Sequence, residues 1–300
     1  MQTEYIKMKN RIIYLIRKKA IGDVLWLEPI IRELSGKYKK VIVFTKHPEL
    51  FENYPLKNVR FISQLNFFEK ILIKTERLLK TSFFTINLDR SYEEKPLQHF
   101  LHAYQAKAGL EIKQDFPLIY LSEEEKKYDP GIAGKYVVLH IEETVAKMNT
   151  RKIFGINWSD VTNYLENEGY QVIEVGTISS NIPGADFRST ALRELICLIN
   201  KASFFIGIDS GPAHLAVILK KPVVLLFGSV NPYFRFFRGQ INGVVLQHYC
   251  PYAGCYHLAK KPLELSCRIV GEFGTPPCAD FSSAEVIAAV EKLDLQVNTF

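Results

Sequence analysis

The chain has 300 residues, 47% of them hydrophobic and 23% charged, which is globular composition with length for two domains rather than one. No run of eighteen or more apolar residues occurs, which excludes a membrane-spanning helix. The net charge of +6 sits in the first half: residues 1–130 carry 23 Lys/Arg against 17 Asp/Glu, whereas 131–300 carry 15 of each.

That surplus suits an anionic partner such as an acidic glycolipid, a membrane surface or nucleic acid, or it is simply a solvated face. The opening "MQTEYIKMKNRIIYLI" has no small-residue cleavage site after its apolar part. That part therefore reads as a strand instead of a signal peptide, and a cytoplasmic protein is expected. "RIIYLI" (11–16) is a buried parallel strand by its continuous apolarity. In the following stretch Val24, Leu27, Ile31 and Leu34 have helical spacing, with Pro29 a kink inside it. Strands are expected at 40–44, 59–62, 83–89 and 116–121, and helices at 65–80 and 96–110. "SEEEKKYDPGIAGK" (122–135) is charged, then rich in Pro and Gly, and marks a domain boundary between 1–130 and 131–300. The alternation then restarts, with strands at 136–141, 170–176, 203–209 and 222–228 and helices between them. A closing helix spans 282–295, capped by Ser282 or Ser283. Alternation twice over predicts an α/β protein of two doubly wound parallel sheets.

The densest motif is "FIGIDSGPAH" (205–214), where a buried strand ends in Asp-Ser-Gly-Pro and a helix starts at once. Ligands of open α/β sheets bind beyond the carboxyl ends of the strands. Gly211 permits close approach, Pro212 suits the first helical turn, and the free N–H groups of that turn attract a phosphate. Ser210 and His214 add donors, and Asp209 either fixes a ribose hydroxyl or holds the loop by accepting backbone N–H groups. The plainer alternative is a capped helix with His214 packed in the core.

"FIGIDSGPAHLAVILKKPVVLLFGSVNP" (205–232) resembles the signature of glycosyltransferase family 9, which includes the ADP-heptose:lipopolysaccharide heptosyltransferases. "AIGDVLWLEPIIREL" (20–34) resembles the same family's N-terminal motif, and the resemblance runs from about 11 to 232. It implies the GT-B fold, two Rossmann-like domains facing a cleft, with the acceptor on the first domain and the nucleotide sugar on the second. It implies an inverting, metal-independent transfer of heptose or a related sugar from ADP-heptose or a similar donor. The acceptor would be lipopolysaccharide core or another surface glycan, without nucleic acid and with peripheral contact to the cytoplasmic membrane face. In that scheme Asp23 is the general base, with Gly22, Arg17, Lys18 and Lys19 on the acceptor side. Asp209, Ser210, Gly211 and His214 match the donor site, with Lys152, or Arg151 in its place, as the cation on the leaving diphosphate. Glu142 and Glu143 stand where the family has small residues. Two rival readings keep the fold: a sugar-nucleotide 2-epimerase, and a catalytically degenerate binding homologue.

Four cysteines, Cys250, Cys255, Cys267 and Cys278, follow the spacing C-x4-C-x11-C-x10-C. Four thiolates are a zinc donor set, but the tight C-x2-C pairs of structural zinc sites are missing, so unliganded thiols are the favoured reading.

Overall fold

The apolar runs near the N-terminus form a parallel sheet. β1 (Ile12–Ile16), β2 (Lys40–Phe44), β3 (Val59–Ile62) and β4 (Thr85–Asn87) lie in the order β3–β2–β1–β4. β1 and β2 pair in register from Ile12↔Lys40 to Ile16↔Phe44. Both are largely buried, which is why their sequences run apolar instead of alternating. The computed structural model describes residues 10–79, 81, 83–94, 96–141, 151–259, 267–269 and 274–297. The chain divides into two units, Met1–Glu123 and Glu124–Phe300.

In the first unit the stretch after β1 is two helices, α1 (Ile21–Leu25) and α2 (Glu28–Lys37), not one kinked helix. Pro29 lies in the first turn of α2, where its missing N–H costs nothing, so it starts a helix instead of bending one. Trp26, Leu27, Ile30, Ile31 and Leu34 are buried, and Trp26 packs edge-on against Phe100. Helices α3 (Phe67–Leu79) and α4 (Phe100–Lys107) complete this layer. The strand expected at 116–121 is not one. Its backbone is held by side chains of α2: Leu118 N–H donates to Glu28 Oε2 at 3.2 Å, and Arg32 Nη2 donates to the Phe116 carbonyl at 3.1 Å.

The second unit holds β5 (Lys135–His140), β6 (Tyr170–Val175), β7 (Ala185–Arg188), β8 (Phe204–Ile208), β9 (Val223–Leu226) and β10 (Gly243–Leu246). They form one parallel sheet ordered β10–β9–β8–β5–β6–β7. The short strands β7 and β10 were not expected from the sequence; both lie at sheet edges. The helices are α5 (Glu123–Lys126), α6 (Trp158–Asn167), α7 (Leu192–Lys201), α8 (Gly211–Ile218), α9 (Cys255–Leu258) and α10 (Ser283–Val297). The charged segment ahead of β5 is tied to this unit, since Arg193 Nε donates to Glu125 at 2.7 Å and Arg188 Nη1 to the Pro130 carbonyl at 2.7 Å. The strand order reverses between β5 and β8, and the carboxyl ends of strands at such a switch point are where α/β sheets place ligands. Among the described residues no helix is long and apolar enough to cross a membrane.

Candidate functional site

β8 delivers Asp209 to that edge, and α8 begins two residues later. Ser210 is the N-cap: its hydroxyl accepts from Ala213 N–H at 3.4 Å, and Pro212 sits in the first turn. Ser210 is thus engaged by its own helix, the plainer of the two roles read for it.

Among the described residues no backbone N–H bonds Asp209. It is buried, with Oδ2 3.3 Å from Arg235 Nε and 3.4 Å from Arg151 Nε. Burial alone would raise its carboxyl, but the Arg151 and Arg235 guanidiniums hold it down at about 2. Its Oδ1 has no hydrogen-bond donor among the described residues, and His214 Nε2 lies 3.9 Å away. His214 is buried against Phe236, ring centroids 4.5 Å apart, and burial pushes it down to about 3. It is a neutral imidazole at physiological pH.

A second buried imidazole stands beside them. His257 Nε2 accepts from Asn231 N–H at 3.1 Å, which places the ring proton on Nδ1, and burial brings its pKa to about 3. Arg235 lies 5.4 Å over the Tyr256 ring. Sequence reasoning singled out neither Arg235 nor His257 for this site. The signal for Arg235 is a lone cation inside the apolar run "PYFRFF", where only a buried counter-charge tolerates it.

The segment 151–155 supplies the other cation. Arg151, part-exposed, reaches Asp209, whereas the Lys152 ammonium lies 5.5 Å over Phe154. Phe154 is pinned to the 279–281 segment: its N–H donates to Ala279 O at 2.8 Å and its carbonyl accepts from Phe281 N–H at 3.0 Å. Gly155 makes this docking fit. It has φ 78°, and a Cβ there would stand 2.4 Å from Asp280 Oδ1 and 2.6 Å from Phe281 O. Gly155→Ala should therefore cost about 2–3 kcal/mol of stability, read as a lower urea midpoint, and should loosen Arg151 from Asp209. An unchanged midpoint would remove this segment's role as a brace. Glu142 and Glu143 lie outside the described residues.

In the first unit Asp23 occupies the first turn of α1 and is part-exposed. Arg17 forms a close ion pair with it through Nη2. Arg17 itself is not a surface cation: it is 4% exposed, donates to the Leu88 carbonyl at 3.3 Å, and lies 3.6 Å from Glu93 and 5.7 Å over the Tyr104 ring. Burial would lower its pKa, but the neighbouring Tyr104, Asp23 and Glu93 push it up, so it stays charged. Just after β1 the Arg17 side chain turns into the core and holds Asp23. Lys18 Nζ lies 3.2 Å from Asp89, and Lys19 is exposed. Gly22 is buried, and its carbonyl accepts from Trp26 N–H. Ala20, just ahead of α1, has φ 31°, a left-handed value rare for a residue with a Cβ.

The cysteines crowd together. Cys250 and Cys278 are buried with Ala279 against Ile153 and Phe154. Burial, then the thiols of Cys250, Cys255 and Cys267, push Cys278 up to about 12. Among the described residues no three His, Cys, Asp or Glu side chains converge to hold one metal ion.

Residues 188–250, which contain the Asp209 cluster's β8 and α8, match the family model "Glycosyltransferase family 9 (heptosyltransferase)". Over those residues the chain resembles glycosyltransferase family 9. The autotransporter heptosyltransferase Aah of Escherichia coli is 29% identical over 199 residues, 63% of this chain and 48% of Aah. The iron-containing dodecameric glycosyltransferase TibC from enterotoxigenic E. coli H10407 superposes with TM-score 0.72 at 19% identity, over 97% of this chain and 78% of TibC. TibC is also solved in complex with ADP-D-β-D-heptose, with TM-score 0.71 at 18% identity over 96% and 77% of the two chains. The E. coli ADP-heptose lipopolysaccharide heptosyltransferase II gives TM-score 0.65 at 16% identity over 96% of this chain and 99% of that one. The fold is therefore GT-B, with two parallel-sheet α/β units. The chain spans about half the length, or less, of the curated relatives it matches.

Proposed function

We propose that the chain transfers heptose or a related sugar from a nucleoside-diphosphate sugar, ADP-heptose or similar, to lipopolysaccharide core or another bacterial surface glycan. The observation that carries this reading is the Asp209 cluster at the head of α8. There two guanidiniums share one ionised carboxylate, both neighbouring imidazoles are neutral, and the α8 dipole points its positive end the same way. Such an end favours a diphosphate, and Arg151 is the part-exposed member of the set. The family match and the ADP-heptose complex of TibC support the same donor class.

In this reading the acceptor hydroxyl oxygen attacks the anomeric carbon, the bond from that carbon to the diphosphate oxygen breaks, and the nucleoside diphosphate leaves. Asp23 takes the hydroxyl proton. Arg17, fixed by Leu88, Glu93 and Tyr104, orients the carboxylate. Attack opposite the leaving group inverts the anomeric centre. The charge on the leaving group meets Arg151, Lys152 and the N–H groups of α8, with no metal in the reacting centre. The four crowded thiols are soft donors of the kind iron and zinc take. Among the described residues no three of them converge on one point. The site is read on the cytoplasmic side, where nucleotide sugars are made available.

Calorimetric titration with ADP, UDP, GDP and CDP tests the donor site. One nucleotide should bind selectively, and Arg151→Gln should weaken it about tenfold or more, while Arg235 remains as the counter-charge of Asp209. Binding of none of the four, or equal binding by the variant, would sink the assignment.

A further inference from the structure

Helix α3 of the first unit is turned inside out relative to an ordinary surface helix. Phe67, Phe68, Ile71, Leu78 and Leu79 are all exposed, Phe68 at 80% and Leu78 at 81%. At 100° per residue these five fall within an arc of about 120°, so they share one side of the helix, with Phe67, Phe68 and Ile71 toward its start, Leu78 and Leu79 toward its end, and exposed Thr75 between them. Its inward face is where the acids are. Glu76 is buried and accepts from Phe84 N–H at 2.8 Å. Glu69 accepts from Asn66 N–H at 2.8 Å and from the Tyr14 hydroxyl at 3.4 Å. The exposed charges of the helix are Lys70, Lys74 and Arg77, along one border of the stripe.

We propose that α3 lies in the plane of an anionic lipid bilayer surface, its apolar stripe among the outermost acyl segments and its cations on the lipid phosphates. Aromatic and Leu side chains on one face with Lys and Arg beside them are what an in-plane interfacial helix presents. Charge complementarity selects this occupant. A second copy docking the same face would bring no counter-charge to Lys70, Lys74 and Arg77, because both acids of the helix, Glu69 and Glu76, are turned away. A bilayer of anionic lipids supplies both the apolar phase and the counter-charge. The surplus of +6 in residues 1–130 adds a general attraction of the same sign. The proposal assigns to α3 the peripheral membrane contact that the family resemblance implies, and it concerns neither nucleotide nor acceptor.

The test is flotation of the full chain with vesicles of phosphatidylglycerol and phosphatidylcholine in equal parts, and with phosphatidylcholine alone. The chain should float with the anionic vesicles, less so as salt rises. Phe68→Ser with Leu78→Ser, and separately Lys70→Glu with Lys74→Glu, should each weaken binding about tenfold or more. Melting temperatures should not change, since all four side chains are exposed. Flotation of either double variant like the wild type would overturn the proposal. So would a wild-type chain that ignores vesicles but self-associates in sedimentation through Phe68 and Leu78. Nucleotide titration plays no part, so the failure of either reading is seen separately.

Discussion

Asp23→Asn is expected to lower kcat by about 10²–10⁴-fold while leaving nucleotide affinity at the wild-type value. The amide keeps the size and a hydrogen-bond acceptor for Arg17, but it cannot take the acceptor proton. Arg17 keeps Glu93 as a counter-charge and the Leu88 carbonyl as acceptor, so the fold around α1 should survive. The Asp209 cluster is built from other residues in the second unit, which is why the two effects should separate. Nucleoside diphosphate release from a nucleotide sugar with acceptor, beside calorimetry on the same preparation, reads both. Full turnover in the variant would take the base role from Asp23. Loss of nucleotide binding as well would mean that the substitution disturbed more than a proton transfer.

Arg17→Lys separates positioning from charge. Lysine keeps the positive charge but lacks the fork that holds Asp23, Leu88 O and Glu93 together. A positioning role predicts a lower kcat with little change in the acceptor KM. An acceptor-binding role, the one its place in "RKK" implied, predicts the reverse. The burial of Arg17 favours the former.

That residue also shows where the sequence stops being informative. The strands were legible because both faces of a parallel sheet are covered, so "RIIYLI", "KVIVF" and "FFIGI" run apolar without a break. Which way Arg17 points just after β1 depends on a counter-charge, Glu93, that sequence spacing does not reveal. "FPLIYL" has strand composition, but Pro117 offers no N–H to a ladder, and Glu28 and Arg32 claim the backbone instead. The head of α8 was legible as a place, from Asp-Ser-Gly-Pro alone. Its electrostatics were not, because Arg235 stands 26 positions from Asp209 and His257 a further 22. Only the folded chain after β9 brings them to one carboxylate. That Arg151, and not Lys152, reaches Asp209 likewise needed the docking of Phe154 on the 279–281 segment.

The same cluster should make the second unit acid-labile above the range of its carboxylates. His214 and His257 are each pushed from 6.5 down to about 3, chiefly by burial. In the unfolded chain both imidazoles take up protons as the pH falls below 6.5, whereas in the fold they stay neutral until about 3. The unfolded state therefore binds more protons across that window, and stability present above pH 6.5 is lost as the pH falls. Each ring contributes a slope approaching about 1.4 kcal/mol per pH unit well below 6.5, so the two together can remove most of an ordinary domain's stability by about pH 4. Asp209 acts in the same direction but later: its folded pKa of about 2 lies below the ordinary 3.8, so its contribution fades only as the pH drops through that lower range. The urea midpoint should fall steeply between pH 6.5 and 4, and His257→Gln should flatten that fall by about half, whatever it does to the midpoint at pH 7. His257 is the ring to change because His214 sits against Asp209, and their protons are coupled. A wild-type midpoint that stays level from pH 7 to 5 would mean that the two rings are solvated, and Asp209 would then face partly charged imidazoles as well as two guanidiniums.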